Sequence, residues 1–186
     1  MKKSLLILCI VGIIIFILLL SFYVFVLSGA FAIFMSKPPE PQITYGEFPF
    51  TITYKVDNEI ITYKDVIICE YEGIESWGTA GKIRKWSRKL KSGNEYLTLL
   101  RSKTSEGAFE VYMPIPGLPE YYMGDFRQDR KYYEKAMKDR RYLGYCQWDD
   151  DIIIKDISVS AEEVWEKYHI KIIDVTYPEP IENHFE

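Results

Sequence analysis

Histidine and cysteine are scarce in this sequence, with two of the former and three of the latter among 186 residues. Neither His169 and His184 nor Cys9, Cys69 and Cys146 follow a zinc-ligand spacing. Two cysteines beyond the apolar N-terminus are too few for a disulfide framework. Glycine-rich phosphate loops are also missing, since Gly78 and Gly81 lead to no Lys-Ser/Thr step. No Ser or Cys stands in a recognisable nucleophile turn, so neither histidine has an evident catalytic partner. No cofactor or metal motif emerges. Charge is absent from residues 4 to 36, and no acidic residue precedes Glu40. Setting aside Lys2, Lys3 and Lys37 leaves 20 basic against 27 acidic residues, a formal −7 over the remainder. That balance argues against nucleic acid as a partner.

What is present begins with an apolar run. Leu5 to Met35 is almost unbroken Leu, Ile, Val and Phe, longer than the roughly 20 residues that cross a hydrocarbon core. It predicts one transmembrane helix over 5–35, tilted or continuing into the headgroups. The rival reading is a cleaved signal peptide, for which Ala30-Phe31-Ala32 is a suitable site. The apolar run exceeds the roughly 7–15 residues usual in such peptides, which favours an uncleaved anchor. Lys2 and Lys3 against the single Lys37 place the N-terminus in the cytoplasm by the positive-inside rule. The expected arrangement is a cytoplasmic tail over 1–4, a proline-rich linker over 36–47 and an extracytoplasmic domain over 48–186. The cell membrane is the expected location and the lipid bilayer the first partner.

The domain reads as α+β, with a mainly antiparallel sheet and two or three helices. Phe50, Ile52, Tyr54 and Val56 alternate with polar residues, Asp57-Asn58 turns, and Ile60 to Tyr71 resumes, which predicts a hairpin. Tyr96–Leu100 and Ala108–Met113 predict a second hairpin. After a loop at Pro114, Pro116, Gly117 and Pro119, Asp125 is placed to cap a helix reaching about Tyr142, with Tyr133, Ala136 and Met137 on one face. A strand over 152–157, a helix begun by the Ser160/Glu163 capping box, and a strand over 170–177 complete the pattern. Lys82 to Lys91 fits helix or strand, with the Ser92-Gly93-Asn94 turn favouring strand.

Thr44-Tyr45-Gly46-Glu47-Phe48-Pro49-Phe50, Ile68-Cys69-Glu70-Tyr71-Glu72-Gly73 and Pro180-Ile181-Glu182-Asn183 carry a family resemblance. The chain resembles a group of short, single-span bacterial proteins of unknown function that end near Pro-Pro-Ile-Glu-Asn-Ser-Phe. Glu179 and His184 depart from that ending. The resemblance implies a bacterial, membrane-anchored protein and supplies no catalytic residue.

Four features could carry chemistry. Cys69 and Cys146 are a candidate disulfide, whose loop closure would contribute about 4 kcal/mol, or two small core side chains. Lys82, Arg84, Lys85, Arg88, Lys89 and Lys91, with Trp86, are a candidate contact for an anionic surface such as lipid headgroups or a wall polymer. The alternative is a solvated face balanced by acids elsewhere. Asp149-Asp150-Asp151 reads as an acidic turn, because calcium loops alternate their ligands. Tyr121, Tyr122, Tyr132, Tyr133, Tyr142, Tyr145 and Trp148 are a binding surface or a core. The functional expectation is an interaction or structural domain binding an envelope component or membrane partner. The alternatives are an envelope enzyme acting through acidic residues and an accessory subunit of a membrane complex.

Overall fold

The computed structural model describes residues 2–27, 36–77, 81–104, 107–138, 142–149 and 152–186. Helix α1 spans Lys2–Leu27. Its described side chains run only over 10–26, 17 residues or about 26 Å of rise. Among the described residues, accordingly, no helix is long and apolar enough to cross a membrane. The rest of the apolar run, 28–35, lies outside them.

The strands are β1 (Tyr45–Val56), β2 (Glu59–Ser76), β3 (Lys82–Leu90), β4 (Leu97–Thr104), β5 (Gly107–Met113), β6 (Tyr142–Asp149), β7 (Ile152–Ser160) and β8 (Ile170–Thr176). They form two four-stranded sheets, ordered β3-β2-β1-β8 and β4-β5-β6-β7. Both expected hairpins are present and antiparallel. Val56 faces Glu59 across the Asp57-Asn58 turn, with Asp57 at φ 51°, and Leu97 faces Met113. The segment left open between helix and strand is the strand β3. A chain with one antiparallel sheet was expected; the strands divide between two.

The remaining helices are α2 (Pro119–Tyr122), α3 (Arg130–Lys138) and α4 (Ala161–Tyr168). Ser160 caps α4 through the full capping box, accepting from the Glu163 amide at 3.1 Å. The helix expected from Asp125 begins five residues later, and its cap is Asp129, whose carboxylate accepts from the Lys131 amide at 3.0 Å. Asp125 instead faces inward, where its carboxylate accepts the Trp86 indole N–H at 2.8 Å. Ala136 is exposed, while Tyr133 and Met137 are buried.

By contact, residues 1–40 with 72–85 form one unit, and 41–71 with 86–186 form the other. The second unit has one apolar core, to which the alternating residues Phe48, Phe50, Ile52 and Tyr54 of β1 contribute alongside Leu97, Leu99, Val111 and Leu143. Strand β6 was not anticipated. Leu143 and Tyr145 alternate with Gly144 and Cys146, and Tyr112 lies across Gly144 so closely that a Cβ there would come within 2.0 Å of its ring.

Candidate functional site

The strand period decides the fate of the basic segment. Within β3, Trp86 and Leu90 are buried and Arg88 between them is half-buried, while Lys85 and Lys89 are exposed. Trp86 was expected to lie in an interface with an anionic surface. It is 7% exposed, packs at a tilt against Tyr71 with ring centroids 5.2 Å apart and donates to Asp125. Arg88 likewise faces inward, and burial pulls its guanidinium below the ordinary value, offset by the nearby Tyr122, Cys69 and Glu120. Those two residues are corrections to the sequence reading. Alternation puts every second residue of a strand on the core side, so a run of charge cannot all face outward.

The outward lysines have acidic partners. Lys85 pairs with Glu72 at 2.7 Å, Lys89 with Glu70 at 3.0 Å, and Lys91 with Glu47 at 2.8 Å. The hydrogen bond from Lys91, then that from Tyr45, holds the Glu47 carboxyl below its usual range. Arg84 donates to the Pro39 carbonyl at 3.1 Å, and Lys82 opens the strand. The strip is therefore largely a ladder of ion pairs, each worth little at an exposed site.

Cys69 and Cys146 lie on β2 and β6, both buried and both free, so the candidate disulfide is not formed. Burial pushes the Cys69 thiol up to about 12 and raises Cys146, with Asp156 and Glu110 adding to the latter. These are protonated thiols, poor as nucleophiles. The tyrosine group is mostly core: Tyr121, Tyr122 and Tyr133 are buried and Tyr132 is exposed. Tyr145 packs with Tyr168 and Phe109, and Arg101 lies over Trp148. The Tyr142 side chain, Asp150 and Asp151 fall outside the described residues.

Among the described residues two carboxylates are buried, and each is engaged. Asp125 holds Trp86, while Glu110 accepts from Thr98 and from Arg101 at 2.8 Å and 3.2 Å. Among the described residues no three His, Cys, Asp or Glu side chains gather as a metal site. A groove of about 490 Å³ lies beside Phe50, Thr51, Lys64, Asp65, Thr176 and Tyr177. Its acid is Asp65, where burial works against ionisation but hydrogen bonds from Ser92, Tyr63 and the Val66 amide prevail and lower the carboxyl. Those bonds tie it to the turn after β3 rather than leaving it open to a ligand.

Two arrangements were not legible beforehand. The closing Pro180-Ile181-Glu182-Asn183 is a clasp on the backbone. Asn183 accepts from the Ile43 amide at 3.0 Å and donates to the carbonyls of Ile43 at 2.9 Å and Met123 at 3.2 Å. Gln42 donates to the His184 carbonyl, Pro41 bridges Phe185, and Ile181 donates to the Tyr122 carbonyl. The other is β7, the edge of its sheet, with Ile152, Ile153, Ile154 and Ile157 exposed by 40–68%. Its register slips where Trp148 faces Ile153, and Asp156 accepts from Tyr112 at 3.0 Å. The isoleucine run was read in the sequence as a strand, but only the sheet order shows that it is uncovered. No protein family, curated protein or solved structure matches the chain.

Proposed function

We propose that this is a single-pass membrane protein that presents a β-rich interaction domain outside the cell. The observation that carries the anchor is α1, where every large apolar side chain from Ile10 to Val24 is 49–66% exposed. Core helices bury one stripe and turn a polar face to water; a helix apolar on all sides needs an apolar solvent. The uncharged run continues to Ser36, which supplies the remaining length. Lys2 and Lys3 support a cytoplasmic N-terminus. The resemblance to short single-span bacterial proteins agrees with this reading.

Interaction rather than catalysis is supported by the same accounting of polar groups. Among the described residues the buried carboxylates Glu110 and Asp125 are already bonded within the fold, whereas β7 is a sheet edge carrying exposed isoleucines, a setting that accepts another strand. A membrane protein or an envelope component is the partner class. The alternatives remain an envelope enzyme working through exposed acids and an accessory subunit of a membrane complex.

Protease treatment of intact cells, followed by alkaline carbonate extraction, tests the reading. The C-terminal domain should be cleaved from outside, and the uncleaved chain should stay with the membrane. A protected domain would overturn the orientation, and release by carbonate would overturn the anchor.

A further inference from the structure

We infer that Trp77, just past the end of β2, lies in the headgroup layer of the bilayer as an interfacial anchor. This rests on the membrane reading above. In that reading Lys37, the first charge after the apolar run, marks the membrane surface. Lys37 and Glu40 line a cavity of about 220 Å³ together with Ile74, Glu75 and Ser76 of β2 and Lys82 of β3. Arg84 fastens the same strand to the linker through the Pro39 carbonyl. The end of β2 is thus held against the residues that leave the membrane, which brings Trp77 to the headgroups.

Trp77 follows Ser76 and is 62% exposed. Its amide donates to the Gly81 carbonyl at 2.8 Å, which fixes the backbone at Trp77 while the side chain stays largely exposed. Tryptophan prefers this layer, because its ring is apolar and its N–H still reaches water or headgroup oxygens. Charge is near balance around it: Lys37, Lys82, Arg84 and Lys85 stand beside Glu40, Glu72 and Glu75, with Lys85 already paired to Glu72. The contact is therefore aromatic and does not require anionic lipid. It differs from the expected contact, in which Trp86 was the inserted residue and the whole basic strand the surface.

The full chain reconstituted in phosphatidylcholine bilayers, with and without brominated acyl chains near the interface, tests the assignment. No tryptophan occurs in the apolar run, and Trp77 is one of four in the protein. Brominated lipid should remove about a fifth of the emission of the native chain, and Trp77→Phe should abolish most of that loss. Trp77→Phe changes an exposed side chain, and its unchanged circular dichroism would exclude misfolding. Equal quenching of both proteins, with the chain still resistant to carbonate, would overturn this inference alone. A blue-shifted Trp77 that bromine does not quench would also overturn it, in favour of a protein partner. Extraction by carbonate would remove the anchor itself, and this contact with it.

Discussion

Replacing Asn183 with alanine removes three hydrogen bonds from the clasp that joins the end of the chain to its residues 42–43 and to α2. The two bonds to Ile43 are exposed, where water replaces a lost partner, and are worth about 0.5 kcal/mol each. The third leaves the carbonyl of the fully buried Met123 short of a donor, which costs about 1 kcal/mol. Asn183→Ala should therefore destabilise the domain by about 2 kcal/mol, read as a lower urea midpoint of the full chain in detergent by tryptophan fluorescence. Asn183→Asp sharpens the test. A carboxylate would keep the bond from the Ile43 amide but turn negative charge on the Ile43 and Met123 carbonyl oxygens. That environment raises the carboxyl above its unfolded value, so the folded state binds the proton more tightly and stability recovers as pH falls. The aspartate variant should be weaker than alanine at neutral pH and approach or exceed it in acid. An alanine variant within about 0.5 kcal/mol of the native protein, or an aspartate variant indifferent to pH, would refute the clasp.

The other predictions concern the interior. Trp86→Phe keeps the ring but takes the indole donor from the buried Asp125, and should cost about 1.5–3 kcal/mol in the same unfolding assay. Gly107→Ala should fail to fold or lose several kcal/mol, about 2 or more, because φ is +111° and the new Cβ would lie 2.2 Å from the Trp148 carbonyl oxygen. Three thiols should titrate in denaturant without reductant, whereas in the folded protein Cys69 and Cys146 should resist alkylation; one thiol in denaturant would show the disulfide. The Cys69 thiol, raised from 9.0 to about 12, binds its proton more tightly when folded. Its contribution to stability is present below about pH 9 and fades as pH climbs towards 12, a slope that Cys69→Ala should remove.

Periodicity was enough to locate most elements. The alternation around Asp57-Asn58 and the Ser160/Glu163 box are local signals, fulfilled by neighbours along the chain. Asp125 misled for a physical reason: an acid before a helix caps it only if nothing better is available, and a buried indole N–H 39 residues away was better. Strand β6 was hidden because its glycine is made acceptable by Tyr112 of another strand. The basic strip was read as one surface because composition counts charges without regard to side, whereas β3 sends Arg88 and Trp86 inward, and Lys89 and the following Lys91 pair with acids from β2 and β1.

The sequence by itself determined where charge is absent and where it accumulates, and with them the apolar run, the acidic domain and the α+β pattern. These are sums over residues or short periods, and they need no distant contact. Only the tertiary structure decided that the two cysteines stand apart as buried thiols, that Asn183 ties the last residues to the first of the domain, and that the isoleucines of β7 are left on an open edge. Burial, pairing and edge position depend on which strands lie beside one another, and that is set by the packing of the whole core rather than by any one segment.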